Sequence, residues 1–242
     1  MRKIFHLPIE KLPLRGILTA AFKQDKWSVE GLDVILSFLK DVRRYENAWF
    51  IIYVGKYKNK KIFAAKHPIG SSGTEILLEE AYTGGARKML RVGSCYGIRV
   101  STGDIVVPKE VVLGEVGVAK AQGYSRGDIL KFDKGLIKKL KEEFSKIEAS
   151  VYYGRIISDD YFNTYITEQK KWLKKNLLAN EMECSEFAIF YNKHRNTQIA
   201  SILVADGCLK SVKSTCYSRK EREIAKKNYQ TAVKVALDIL VN

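Results

Sequence analysis

The chain has 242 residues, of which 46% are hydrophobic and 29% charged, a composition that suits one large α/β domain and demands no second. Its net charge of +15 is spread over turns and helices, as at Lys56, Lys58, Lys60 and Lys61, at Lys138, Lys139 and Lys141, and at Lys170, Lys171, Lys174 and Lys175, which describes solvated faces rather than a nucleic-acid surface. No apolar run approaches the roughly 20 residues of a membrane span, so neither nucleic acid nor a membrane is expected as a partner. The first residues lack the apolar core of a signal peptide. The four cysteines (Cys95, Cys184, Cys208 and Cys216) show no CxxC spacing, which argues against zinc and for reduced thiols in a cytoplasmic protein.

In chain order, Trp49–Val54 and Lys61–Ala65 read as strands around a turn at Lys58-Asn59-Lys60. Thr74–Ala86 reads as a helix with Leu77, Leu78, Ala81 and Tyr82 at helical spacing, and Met89–Val92 as a short buried strand. Asp104–Pro108 and Val111–Ala119 look like further strands, and Lys131–Ile147 like a basic amphipathic helix. Ser150–Ser158 is strand-like, Glu168–Leu177 helical, and Glu183–Tyr191 an apolar helix. Thr197–Ala205 is β-branched and aliphatic throughout, as a buried strand should be. The last helix opens on the capping box Ser218-Arg219-Lys220-Glu221 and sets Ile224, Ala232, Ala236 and Leu240 on one side. Strands alternating with helices predict a single three-layer α/β/α domain over residues 1–242, with a central mixed sheet and ligands at the carboxyl ends of its strands.

Two stretches at such ends could carry chemistry. In Arg91-Val92-Gly93-Ser94-Cys95-Tyr96-Gly97 the chain is expected to turn out of the sheet. There glycine amides, the Ser94 hydroxyl and the Arg91 fork could meet an anion; a plain glycine turn with Arg91 paired to a carboxylate is the bland alternative. His67-Pro68-Ile69-Gly70-Ser71-Ser72-Gly73 is a second strand-to-helix turn with spare donors. Asp206 follows the buried strand, where desolvation would raise its pKa and suit it to donate a proton; capping a turn is the alternative duty. Glu183 begins an apolar helix, either as a favourable charge in its first turn or as a carboxylate held against sugar hydroxyls. Phe162 could stack on a base or belong to the core. His6 by itself says nothing.

Taken together, Lys66–Ile98, Gly154–Phe162, Glu181-Met182-Glu183-Cys184 and Ile202–Cys208 resemble the nucleoside phosphorylase and uridine phosphorylase superfamily, and within it the hexameric purine nucleoside phosphorylases. The Glu-Met-Glu pattern is the most specific of these. The resemblance implies phosphorolysis of purine nucleosides to free base and ribose 1-phosphate, with inorganic phosphate as co-substrate and no metal or organic cofactor. It implies that Arg91 and Ser94 bind phosphate, that Met182 and Glu183 hold the ribose, that Phe162 stacks on the base and that Asp206 serves purine N7. His6 would reach the ribose of a neighbouring subunit's substrate in a homo-oligomer, a dimer or a trimer of dimers. Arg219 or Arg222 would assist Asp206.

The chain departs from that family at Leu14–Lys23, where the usual Gly-Asp-Pro-x-Arg phosphate motif is missing. Arg43 and Arg44 are out of register with the neighbour-subunit arginine, and Tyr96 stands where relatives carry glycine. A hydrolytic nucleosidase, a uridine phosphorylase (Gln169 lies near the expected glutamine) and a non-catalytic nucleoside-binding protein are the alternatives.

Overall fold

A computed structural model describes residues 6–26, 28–161, 171–209 and 218–242. Ten strands run β1 (Arg15–Thr19), β2 (Lys40–Glu46), β3 (Ile51–Tyr57), β4 (Lys60–Lys66), β5 (Lys88–Gly97), β6 (Ile105–Leu113), β7 (Ile129–Lys131), β8 (Val151–Ser158), β9 (Ala179–Glu181) and β10 (Gln198–Cys208). Helices α1 (Leu32–Ser37), α2 (Ser71–Thr83), α3 (Lys134–Phe144), α4 (Cys184–Lys193) and α5 (Arg219–Val241) accompany them.

Local chemistry accounts for several of these boundaries. Lys58 and Asn59 both take positive φ (46° and 62°), the geometry that matches a two-residue hairpin turn to strand twist. Asp133 caps α3 by accepting from Leu136 N–H at 2.6 Å, so that helix starts after the strand-like residues before it. The Ser218–Glu221 capping box forms as its sequence predicts.

The sheet is mixed. Strands β1, β4, β5 and β10 run parallel to one another, while β6 is antiparallel to β10 and parallel to β8. β5 pairs β10 along one edge, and β1 and then β9 along the other. Because β9 also pairs β8, the path β5–β10–β6–β8–β9 closes on itself as a small barrel, with β1, β4, β3 and β2 extending from it. Helices α2 and α4 pack on one face of the sheet through Leu77, Leu78, Phe187 and Ile189. Helices α1, α3 and α5 pack on the other through Ile35, Leu136, Leu140, Tyr229 and Ala236. The expected α/β/α layering is present, with partial barrel closure added.

Two differences from the sequence reading matter for the site. β5 does not turn out at Gly93 but continues to Gly97, held by its parallel pairing to β10. β10 likewise runs on through Asp206 to Cys208, with an irregularity between Ala205 and Gly207, so Asp206 stands on a bulged strand rather than beyond its end. Residues 105–113 form one strand where two were expected, and 116–119 are not strand. β1, α1 and β2 had no counterpart in the expected elements. Of Glu168–Leu177, residues 171–174 are helical and 168–170 lie outside the described residues.

Candidate active site

The carboxyl ends of the parallel strands β1, β4, β5 and β10 meet β9 at a cavity of about 360 Å³, lined by Ala20, Ala21, Ser28, Glu30, Ile69, Arg91, Ser94, Cys95, Tyr96, Asn180, Glu181, Met182, Glu183 and Asp206. This is where open α/β sheets place ligands. Of the residues singled out in the sequence, Arg91, Ser94, Met182, Glu183 and Asp206 converge here. His6 does not line its own chain's cavity; its Nδ1 lies 2.9 Å from Glu80 Oε1 and its ring packs on Trp49. Phe162 and Gln169 lie outside the described residues.

Arg91 is 1% exposed. Its Nη2 reaches Glu183 Oε2 at 2.5 Å and its Nη1 lies 3.4 Å from Glu181 Oε2. Nε donates to His67 Nε2 at 3.3 Å. His67 Nδ1 donates in turn to Pro68 O at 2.8 Å, which leaves Nε2 as the acceptor and the ring neutral. Burial, and then the Arg91 charge, push His67 down to about 3. His67 is therefore a positioning partner of Arg91; the sequence offered only a loop histidine without an assigned duty.

The Glu-Met-Glu segment divides its labour. Glu181 Oε2 accepts from the N–H groups of Glu183 and Cys184 at 2.9 and 2.8 Å, satisfying the start of α4. The helix-end duty weighed for Glu183 thus falls to Glu181. Glu183 is free to hold Arg91 with one oxygen and accept from Gly70 N–H with the other, at 2.9 Å. Burial pushes Glu183 up to about 7 against the pull of Arg91, with the Glu181 charge adding to the rise. Glu181 Oε1 and Asn180 Nδ2 are buried without a hydrogen-bond partner among the described residues, and both residues line the cavity. Unpaired buried polar atoms at a cavity wall suit a polar ligand.

Asp206 faces the same space. Burial pushes its carboxyl up to about 7, the nearby Glu30 charge raises it further, and the Ser94 hydroxyl pulls the other way. It is therefore poised to hold a proton near neutrality, as general-acid chemistry requires. Arg219 and Arg222 do not reach it: Arg219 is exposed at the start of α5 and Arg222 donates to the Lys26 carbonyl. Arg43 and Arg44 are exposed on β2. Arg91 is the one cation lining this cavity among the described residues.

Glu30 carried no sequence signal. It comes from the segment before α1, is 5% exposed, and sits at the heart of the cavity. Its Oε1 accepts from Ser94 N–H at 2.6 Å and Ser94 Oγ at 2.7 Å. Its Oε2 accepts from Ala20 N–H and Thr19 Oγ1, both at 2.9 Å. Burial opposes its charge, but Arg91 and the bonds from Ser94 and Ala20 outweigh it and hold the carboxyl below the usual range. Glu30 is ionised.

Known proteins share the fold and part of the sequence. Residues 28–242 match the family model described as the phosphorylase superfamily. A purine nucleoside phosphorylase of Plasmodium vivax (strain Salvador I) is 26% identical over 158 residues, 63% of this chain and 63% of that protein. A DeoD-type purine nucleoside phosphorylase of Pasteurella multocida (strain Pm70) is 28% identical over 62% of this chain and 64% of its own length. The chain thus spans 63–64% of the length of these curated relatives. Among solved structures, uridine phosphorylase of Vibrio fischeri ES114 superposes with TM-score 0.84 at 22% identity over 100% of this chain and 99% of that one. Purine nucleoside phosphorylase of Toxoplasma gondii in complex with immucillin-H does so with TM-score 0.78 at 18% identity, covering 96% and 93%. With a fold of this kind and a family match over most of its length, the chain belongs to the phosphorylase superfamily.

Proposed function

We propose that this chain cleaves the N-glycosidic bond of purine nucleosides, releasing the base and passing the ribosyl group to an oxygen acceptor. The observation that carries the reading is Asp206: a carboxyl brought to about 7 by burial and by Glu30, sharing one cavity with Glu183 and the unpaired Glu181 Oε1. Bond breaking leaves negative charge on the departing base and positive charge on the sugar. An acid at purine N7 meets the first need, a duty that suits Asp206. Carboxylates near the ribose meet the second: Glu183 would hold the hydroxyls, with Met182 against the sugar. The curated relatives are named purine nucleoside phosphorylases, which supports a purine; phosphate is the acceptor in phosphorylases, and the acceptor side of this cavity is the side of Arg91 and Ser94. Base stacking by Phe162 and a neighbouring subunit's His6 complete the reading.

Release of free base from inosine, adenosine, guanosine and uridine tests it. Purine release that Asp206→Asn slows by about 10²–10⁴-fold is the expected result. Faster release from uridine would transfer the reading to pyrimidines, and nucleoside binding without release would make the chain a binding protein.

A further inference from the structure

Resting on that reading of the site, we propose that Glu30 is a built-in occupant of the anion cradle and that the ribosyl acceptor of this chain is water rather than inorganic phosphate. Three observations carry this.

The first is occupancy. The Ser94 N–H, the Ser94 hydroxyl, the Ala20 N–H and the Thr19 hydroxyl come from the carboxyl ends of β5 and β1, the place where backbone amides and a hydroxyl would receive an anion. All four already donate to one carboxylate, at 2.6 to 2.9 Å. A carboxylate offers about four lone-pair sites, so donors and acceptors are matched. The fit is braced from behind: Thr19 Oγ1 lies 2.8 Å from the Tyr229 hydroxyl of α5, and Ser28 Oγ pins the Glu30 backbone at 3.1 Å.

The second is charge. The carboxyls at the cavity wall are Glu30, Glu181 and Glu183, with Asp206 holding its proton, against Arg91 as the lining cation. That cation is already engaged by Glu183 and Glu181. A phosphate dianion would enter a field of its own sign while displacing a satisfied carboxylate. Neutral water meets neither obstacle.

The third is the route a proton can take. Ser94 Oγ donates to Glu30 and also interacts with the Asp206 carboxyl, so one hydroxyl joins the acceptor side to the base side. In the balanced reaction the C1′–N bond breaks with its electron pair leaving on the base, which takes the Asp206 proton. The water oxygen bonds to C1′, and its surplus proton passes to the carboxylate pair that Ser94 bridges, restoring protonated Asp206. Free ribose and free base result, with no oxidant or metal.

The test uses the whole chain and inorganic phosphate. Purine release is measured with and without added phosphate while the sugar product is identified, and phosphate binding is titrated calorimetrically without nucleoside. We expect release to change by no more than about twofold with phosphate, the sugar to be free ribose, and no phosphate to bind the wild-type chain. Glu30→Gly, which empties the cradle, should bind phosphate; Glu30→Gln, which keeps the shape, should not. Phosphate-dependent release yielding ribose 1-phosphate, or stoichiometric phosphate binding that competes with nucleoside, overturns the inference and leaves nucleoside cleavage standing. Absence of release from any nucleoside overturns the reading beneath it. If Glu30→Gly does not fold, the wild-type titration and product analysis still decide.

Discussion

The Arg91 guanidinium lies over Gly93, two residues along the same face of β5: a Cβ added to Gly93 would stand 2.6 Å from Arg91 Cζ. The glycine is needed for close approach, since the strand itself is regular there. Gly93→Ala should push the guanidinium off Glu183 and Glu181, lowering stability by about 1–3 kcal/mol and cutting turnover. Denaturant melts with parallel base-release assays check this. Unchanged values would mean that the arginine has a second resting place.

Removing the charge itself should cost more. Arg91→Met leaves Glu183 and Glu181 buried without their counter-charge, and breaking a buried pair from one side typically costs about 3–5 kcal/mol. The deficit should shrink on acidification, as the orphaned Glu183 takes up a proton. A deficit independent of pH between the acid range and neutrality would place its origin in packing instead.

Asp206→Asn should reduce base release by about 10²–10⁴-fold, the usual worth of a general acid. Nucleoside affinity, read by calorimetry, should change little because the side chain keeps its volume. Equal losses in affinity and rate would make Asp206 a binding group only.

The pH profile should carry the same signature. Protonated Asp206 is the active form, so kcat should fall as pH rises through about 7. The Glu30 charge contributes to that elevated value, so Glu30→Gln should move the fall to lower pH. A profile that stays in place would separate Glu30 from the acid.

Stability should follow the proton as well. Folded Asp206 holds a proton that the unfolded chain releases in the ordinary carboxyl range. Its contribution is therefore full below that range and is lost as pH rises through about 7. A side-chain amide at this position has no such proton to lose, so the Asp206→Asn variant should gain in thermal midpoint relative to wild type on going from acid to pH values above about 7. Parallel melting curves for the two proteins would refute the burial of this carboxyl.

Signals confined to neighbouring residues were legible in the sequence. The Ser218 capping box, the Lys58-Asn59 turn, the aliphatic run that became β10 and the apolar periodicity of α2 depend on chemistry within a few positions. So does the Glu-Met-Glu pattern. β1 and α1 were harder to see, because Arg15–Thr19 is only five residues and Leu32–Ser37 six, too short to establish a period. Gly93–Gly97 looked like a turn by composition, yet its partner β10 supplies the hydrogen bonds that keep it in the sheet.

Local pattern and motif were enough for the α/β/α class, the family and five of the side chains that meet in the cavity. What those side chains do to one another depends on contacts between distant parts of the chain. Glu30 stands in an ordinary Val-Glu-Gly stretch, 64 residues before the Ser94 that holds it, and His67 and Arg91 are 24 apart. Burial and charge pairing arise where strand ends converge, so the carboxylate that fills the anion cradle, the neutral histidine and the raised Asp206 are properties of the assembled sheet.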